Sequence, residues 1–147
     1  MADKARVALV TVQQPCMLLE ALLGPIGLPP GTALELVALG AVYYACRLSG
    51  RPKMARIMDP AQPLRAGARV RVHLEPKRYP ACQRSDWPER VAWQDDEYVV
   101  LEKPAGVVCM AHVSNWRECL HRCASEALGT ELLLLHRIDQ WTTGLVS

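Results

Sequence analysis

The 147-residue chain has no hydrophobic run of membrane-spanning length. Its longest, such as residues 132–135, are strand-sized, against roughly 18 residues needed to cross a bilayer. It shows no secretory signal either: Lys4 and Arg6 precede only a short apolar stretch before Gln13, with no small-residue cleavage site. An excess of charge is also missing, since 17 basic residues face 15 acidic ones and the formal net charge is +2. There is no internal repeat and no low-complexity tract. These absences make a soluble, intracellular protein the expectation, with the cytoplasm as the first compartment, an organelle as the alternative, and no membrane partner. The six cysteines (16, 46, 82, 109, 119 and 123) are spread along the chain rather than gathered into a disulfide framework, so they read as reduced, small buried hydrophobes. The length suits one average domain or two small ones.

Cut by position, the charge is uneven. Residues 1–50 carry three basic and three acidic residues, residues 51–90 ten and four, and residues 91–147 four and eight. A basic middle that includes Tyr79 and Trp87 is what a phosphate-contacting surface needs, and it is equally what a solvated face contains. Cys109, His112, Cys119, His121 and Cys123 are a grouping of metal-ligating residue types. Cys119 and Cys123 fall on one face of an expected helix, where core packing is the better reading, so no metal is expected.

Periodicity and breakers predict an α+β chain. A strand is expected at 7–12, and a helix at 16–23 that starts after Pro15 and closes at a left-handed Gly24. Thr32 with Glu35 forms a capping-box pattern for a second helix, which runs to Leu39 before Gly40. Strands at 42–47 and 55–58 flank a turn at Ser49, Gly50 and Pro52, and 69–74 alternates basic and apolar residues as a half-exposed strand does. The polar, proline-bearing residues 76–90 read as a linker between a domain at 1–75 and another at 91–147. In the second, strands are expected at 98–102, 107–110 and 132–135. A helix is expected at 116–128, capped by Asn115 with Glu118 and closed by Gly129.

The last expected strand runs into His136-Arg137-Ile138-Asp139, then Gln140-Trp141-Thr142-Thr143-Gly144. A polar loop leaving a rigid strand is a common place to present reactive side chains. Beside Arg137 the Asp139 carboxylate is expected to be ionised, able to act as a nucleophile or base, although a capping aspartate in an ordinary salt bridge fits the same residues.

His-Arg-Ile-Asp-x-x-Thr-x-Gly resembles the active-site motif of RluA-type pseudouridine synthases, including His136, whose place a glycine usually fills in the sister RsuA branch. Tyr98-Val99-Val100-Leu101-Glu102-Lys103-Pro104-Ala105-Gly106 resembles the first motif of the same family. The resemblance covers about residues 95–147. It implies that Asp139 is the essential aspartate, that Arg137 contacts the RNA backbone or holds the flipped geometry, that His136 supports the active site, and that Thr142 and Gly144 shape the loop. It also implies that Lys103, Pro104 and Gly106 support the site from an adjacent turn. The implied partner is RNA, either tRNA or rRNA, and the implied reaction uses no metal and no organic cofactor.

Residues 40–43, the turn near Ser49-Gly50 and residues 59–70 resemble the hairpin and closing strand of the alpha-L RNA-binding domain that many of these enzymes carry at the N-terminus. The second expected helix lacks the basic residues usual there, so phosphate contact is assigned to Arg47, Arg51, Lys53, Arg56, Arg69 and Arg71. The expected architecture is thus a small helix-helix-hairpin RNA-binding domain followed by the first part of a mixed-sheet catalytic domain, in a monomer. The family's later tyrosine has no counterpart here, because all four tyrosines precede Asp139. The expectation is therefore an N-terminal portion of a longer synthase, incomplete for catalysis by itself, with a non-catalytic RNA-binding protein as the alternative. A kinase reading of His-Arg-x-Asp fails for want of a glycine-rich loop and a downstream magnesium motif.

Overall fold

A computed structural model describes residues 6–45 and 53–147. The chain divides into two compact units, Met1–Pro76 and Lys77–Ser147. Both mix helix with antiparallel sheet. Among the described residues no helix is long and apolar enough to cross a membrane.

In the first unit the order is β1 (Val7–Thr11), β2 (Cys16–Met17), α1 (Leu18–Leu23), α2 (Pro30–Leu39), β3 (Val42–Ala45), β4 (Ala55–Arg56), β5 (Pro63–Leu64) and β6 (Arg69–His73). A four-stranded antiparallel sheet has the order β1-β6-β3-β4, and β2 pairs with β5 separately. The alternation along β6 decides which face is buried. Val70 and Val72 have no exposed surface and join Leu18, Leu22, Ala33, Val37 and Val42 in the core, while Arg69 and Arg71 fall on the opposite face.

Three local expectations are corrected here. Cys16 and Met17, expected to open a helix, pair in register with Leu64 and Pro63, and α1 begins only at Leu18, where Glu20 accepts a 2.7 Å bond from the Met17 N–H. Gly24 ends α1 at φ −83° rather than in the left-handed region, with its N–H bonded to the Glu20 carbonyl. The second helix starts at Pro30, not at the Thr32 box, because a proline in the first turn has no N–H to leave unsatisfied. Gly40 does close α2 in the left-handed conformation, at φ 75°. The expected turn at Ser49, Gly50 and Pro52, and the end of the strand expected at 42–47, lie outside the described residues.

The second unit holds 3-10 turns at Pro80–Cys82 and Pro88–Arg90, then β7 (Val91–Gln94), β8 (Val99–Lys103), α3 (Leu120–Leu128) and β9 (Gly144–Val146). Its sheet has the order β7-β8-β9, and every pairing is antiparallel, so the mixed sheet expected here is not formed among the described residues. Residues 107–110, expected as a strand, instead receive the start of α3: the Leu120 and His121 N–H groups donate to the Val108 and Cys109 carbonyls. Residues 132–135 are not a strand either. Leu132 and Leu134 pack on the core while Leu133 and Leu135 are exposed, and the Leu132 carbonyl is bonded by His121.

Residues 77–90, expected as linker, contribute Tyr79, Cys82 and Trp87 to the second unit's core. What holds them is Glu118. Its buried carboxylate accepts from Arg78 (2.7 Å), from the Tyr79 N–H (2.8 Å) and from Asn115 (2.8 Å). The Asn115 side chain in turn accepts from the Arg117 and Glu118 N–H groups, so the expected cap motif forms a turn that begins five residues ahead of α3 instead of capping a helix at 116. Burial acts to raise the Glu118 pKa, but the bonds from Arg78, Tyr79 and Asn115 outweigh it and hold the value at about 2. A depressed carboxyl contributes stability that is complete above its ordinary pKa and is lost as pH falls toward 2. Acid unfolding followed by circular dichroism between pH 5 and pH 2 is therefore expected to have a shallower slope in Glu118→Gln. That variant is also expected to be destabilised by about 2 kcal/mol at neutral pH.

Candidate active site

β8 ends at Lys103, whose side chain has no exposed surface. Its Nζ donates to three backbone carbonyls, those of Pro104 (3.0 Å), Val107 (2.6 Å) and Gln140 (2.8 Å). Burial pushes the lysine pKa below its ordinary value, against the pull of Cys109, Cys82 and Asp139. Next along the chain Gly106 takes φ +89°, and its N–H donates to the same Gln140 carbonyl at 2.9 Å. Two donors thus hold the residue that follows Asp139.

The residue before Asp139 is held as well. The Ile138 N–H donates to the Cys109 sulfur and the Cys109 thiol donates to the Ile138 carbonyl, both at 3.4 Å. The Thr142 N–H donates to the Asp139 carbonyl at 3.1 Å and closes a four-residue turn. Between these fixed neighbours the Asp139 side chain is exposed. The geometry brings Lys103, Pro104, Gly106, Asp139 and Thr142 together, with Gly144 paired to Lys103 at the start of β9.

Other residues fall differently. His136 and Arg137 are exposed, and the His136 Nε2 accepts from the Ser147 N–H at 3.2 Å. Among the described residues Arg137 makes no ion pair with Asp139, contrary to the expectation drawn from their proximity in sequence. Sequence reasoning missed Gln140, which acts through its backbone carbonyl and so leaves no trace in residue type. It also missed Cys109, which it treated only as a core residue or metal candidate. Among the described residues no three metal-ligating side chains converge. A cavity of about 470 Å³ in this unit is walled by Tyr98, Leu120, Leu133 and Val146 among others, and none of residues 136–143 lines it.

In the first unit, Arg56 and Arg71 meet at Tyr43. Arg56 donates to the Tyr43 hydroxyl through Nε (3.1 Å) and Nη2 (2.5 Å), and the Arg71 guanidinium lies 4.9 Å from the ring centroid. Arg69 shares their sheet face by register, and Lys53 is exposed. Arg47 and Arg51 lie outside the described residues. Part of the basic middle of the chain is taken up in ion pairs within the second unit: Arg78 pairs with Glu118, and Arg84 and Arg90 pair with Asp86.

Replacing Lys103 by Met leaves the Pro104 and Val107 carbonyls buried without this donor and removes one of the two donors to Gln140. Urea unfolding of Lys103→Met is expected to show about 2 kcal/mol lower stability than the parent chain.

No family model matches the chain. It is 35% identical over 156 aligned residues to "RNA pseudouridine synthase 6, chloroplastic" of Oryza sativa subsp. japonica, an alignment that takes in 81% of this chain and 33% of that protein. It is 38% identical over 96 residues to the protein of the same name from Arabidopsis thaliana, over 64% of this chain and 20% of that protein. The chain therefore spans about a third or less of the length of the curated relatives it matches. With the aspartate motif, its histidine, and the Lys-Pro-x-Gly turn folded against it, these alignments establish that the chain belongs to the RNA pseudouridine synthase family of the RluA type.

Proposed function

We propose that the chain carries the aspartate of an RNA pseudouridine synthase that acts on uridine in tRNA or rRNA. The observation that carries this reading is an exposed Asp139 whose two chain neighbours are both held by buried groups, Ile138 by Cys109 and Gln140 by Lys103 and Gly106. A carboxylate so placed can attack the sugar's anomeric carbon, or take a sugar proton to give a glycal. Either route breaks the bond from sugar to N1 of uracil; the freed base then bonds to the anomeric carbon through C5 as the aspartate leaves that carbon or returns the sugar proton, and C5 loses its proton while N1 gains one. The target base must first leave its stack, at a cost of a few kcal/mol. Arg137, exposed two residues before Asp139, is assigned to the RNA backbone, His136 to support of the site and Thr142 to the shape of the loop. The chemistry uses no metal and no organic cofactor.

In this reading residues 1–75 form an alpha-L-like RNA-binding domain, and 91–147 the first part of the catalytic domain, with 77–90 packed onto the latter. Phosphate contact is assigned to Arg56, Arg69 and Arg71 on the sheet face, with Lys53, Arg47 and Arg51. The names of the two relatives place them in chloroplasts, which favours the organellar alternative for this protein over the cytoplasm.

Two outcomes test the proposal. In RNA incubated with the protein, alone or joined to the remaining part of a synthase of this family, pseudouridine read by carbodiimide-dependent stops of reverse transcription is expected to fall at least about 1000-fold with Asp139→Asn, at unchanged RNA affinity. Product formation by that variant at the parent rate overturns the assignment. Binding should weaken linearly in log salt, and Arg56→Gln or Arg71→Gln is expected to reduce that slope by about one each.

A further inference from the structure

Of the four tryptophans, Trp87 is buried, Trp116 lies under the Arg122 guanidinium, and Trp93 is half exposed. Trp141 is 75% exposed. A tryptophan side chain carries a large apolar area, and leaving it in water forgoes the burial that usually justifies the residue. Its position is specific. Trp141 is the third residue of the turn that Asp139 opens and Thr142 closes, so the exposed ring and the exposed carboxylate belong to one four-residue turn.

The ring also has a seat. The edge of its six-membered ring rests on Gly106: a Cβ built there would come within 3.4 Å of Cζ3 and 3.8 Å of Cη2. The backbone beneath it is fixed through Gln140 by Lys103 and Gly106. The turn therefore presents a flat aromatic surface, braced at one edge and open to solvent over most of its area.

We propose that Trp141 is the platform on which an unpaired nucleobase next to the target uridine stacks. This rests on the function proposed above and deepens it. Extracting a base from its stack leaves its neighbour without a stacking partner. An aromatic plate in the same turn as the reacting group replaces that partner whatever the neighbour's identity, because every base has a π-face. Trp141 is thereby a substrate-contacting residue that selects looped over fully paired RNA.

The test uses a short RNA stem-loop with one loop uridine flanked by 2-aminopurine, and the corresponding full duplex. Binding of the stem-loop to the parent protein is expected to quench 2-aminopurine, and Trp141→Phe is expected to keep the quench. Trp141→Leu, which retains an apolar contact on Gly106 and so preserves the fold, is expected to lose the quench and to bind about 5- to 100-fold more weakly. Asp139→Asn is expected to quench like the parent. Salt-dependent RNA binding with the same quench and affinity in Trp141→Leu overturns the stacking role alone, and assigns the ring to a protein contact. No salt-dependent RNA binding by the parent protein overturns the proposed function and this inference together.

Discussion

An ammonium group with no exposed surface must find an acceptor for each of its three N–H bonds, and the Lys103 side chain meets that demand with three main-chain carbonyls. Two of them belong to the turn that follows β8. The third belongs to Gln140, thirty-seven residues further on. The condition for burying this charge is thus that two distant loops lie at one fixed separation. A hydrophobic side chain of the same length would fill the space but impose no such separation, since apolar contact is not directional. The Asp139 turn, its closure by Thr142 and the pairing of β8 with β9 are arranged around that one side chain.

Cys109 supplies a second, weaker constraint of the same kind. Its sulfur serves as both donor and acceptor to Ile138. The aspartate is therefore not presented from the end of a sheet strand but is held by individual bonds from loop to loop. This explains why residues 132–135 can dispense with strand pairing and the site still has defined geometry. Their apolar run is read equally well as a strand or as a stretch that drops alternate leucines into a core, and the latter is what forms.

Where a single local rule governs, the sequence was readable. The alternation of 69–74 yields β6 with its valines inward, Gly40 and Gly129 close their helices in the left-handed conformation, and the chain is α+β. Where two local rules compete, it was not. Pro30 and the Thr32 box both open helices, and the earlier one prevails; Asn115 and Glu118 look like a cap, but the carboxylate is taken by Arg78 and Tyr79 from forty residues away. The site followed the same division. Its motif residues were legible by type, whereas the bonds through the Gln140 carbonyl, the Cys109 sulfur and the Lys103 ammonium are long-range facts that no spacing encodes. The separation of Arg137 from Asp139 likewise shows that neighbours in sequence need not be partners.

The packing of residues 77–90 bears on how the chain can be divided. Composition sets the boundary near residue 90, but a cut there would strip Tyr79, Cys82 and Trp87 out of an apolar cluster and leave Glu118 buried without Arg78. The stretch that looks most like a disposable spacer is the brace on which the aspartate-bearing unit rests. Any separately expressed version of that unit should begin at Lys77, where the contacts themselves divide.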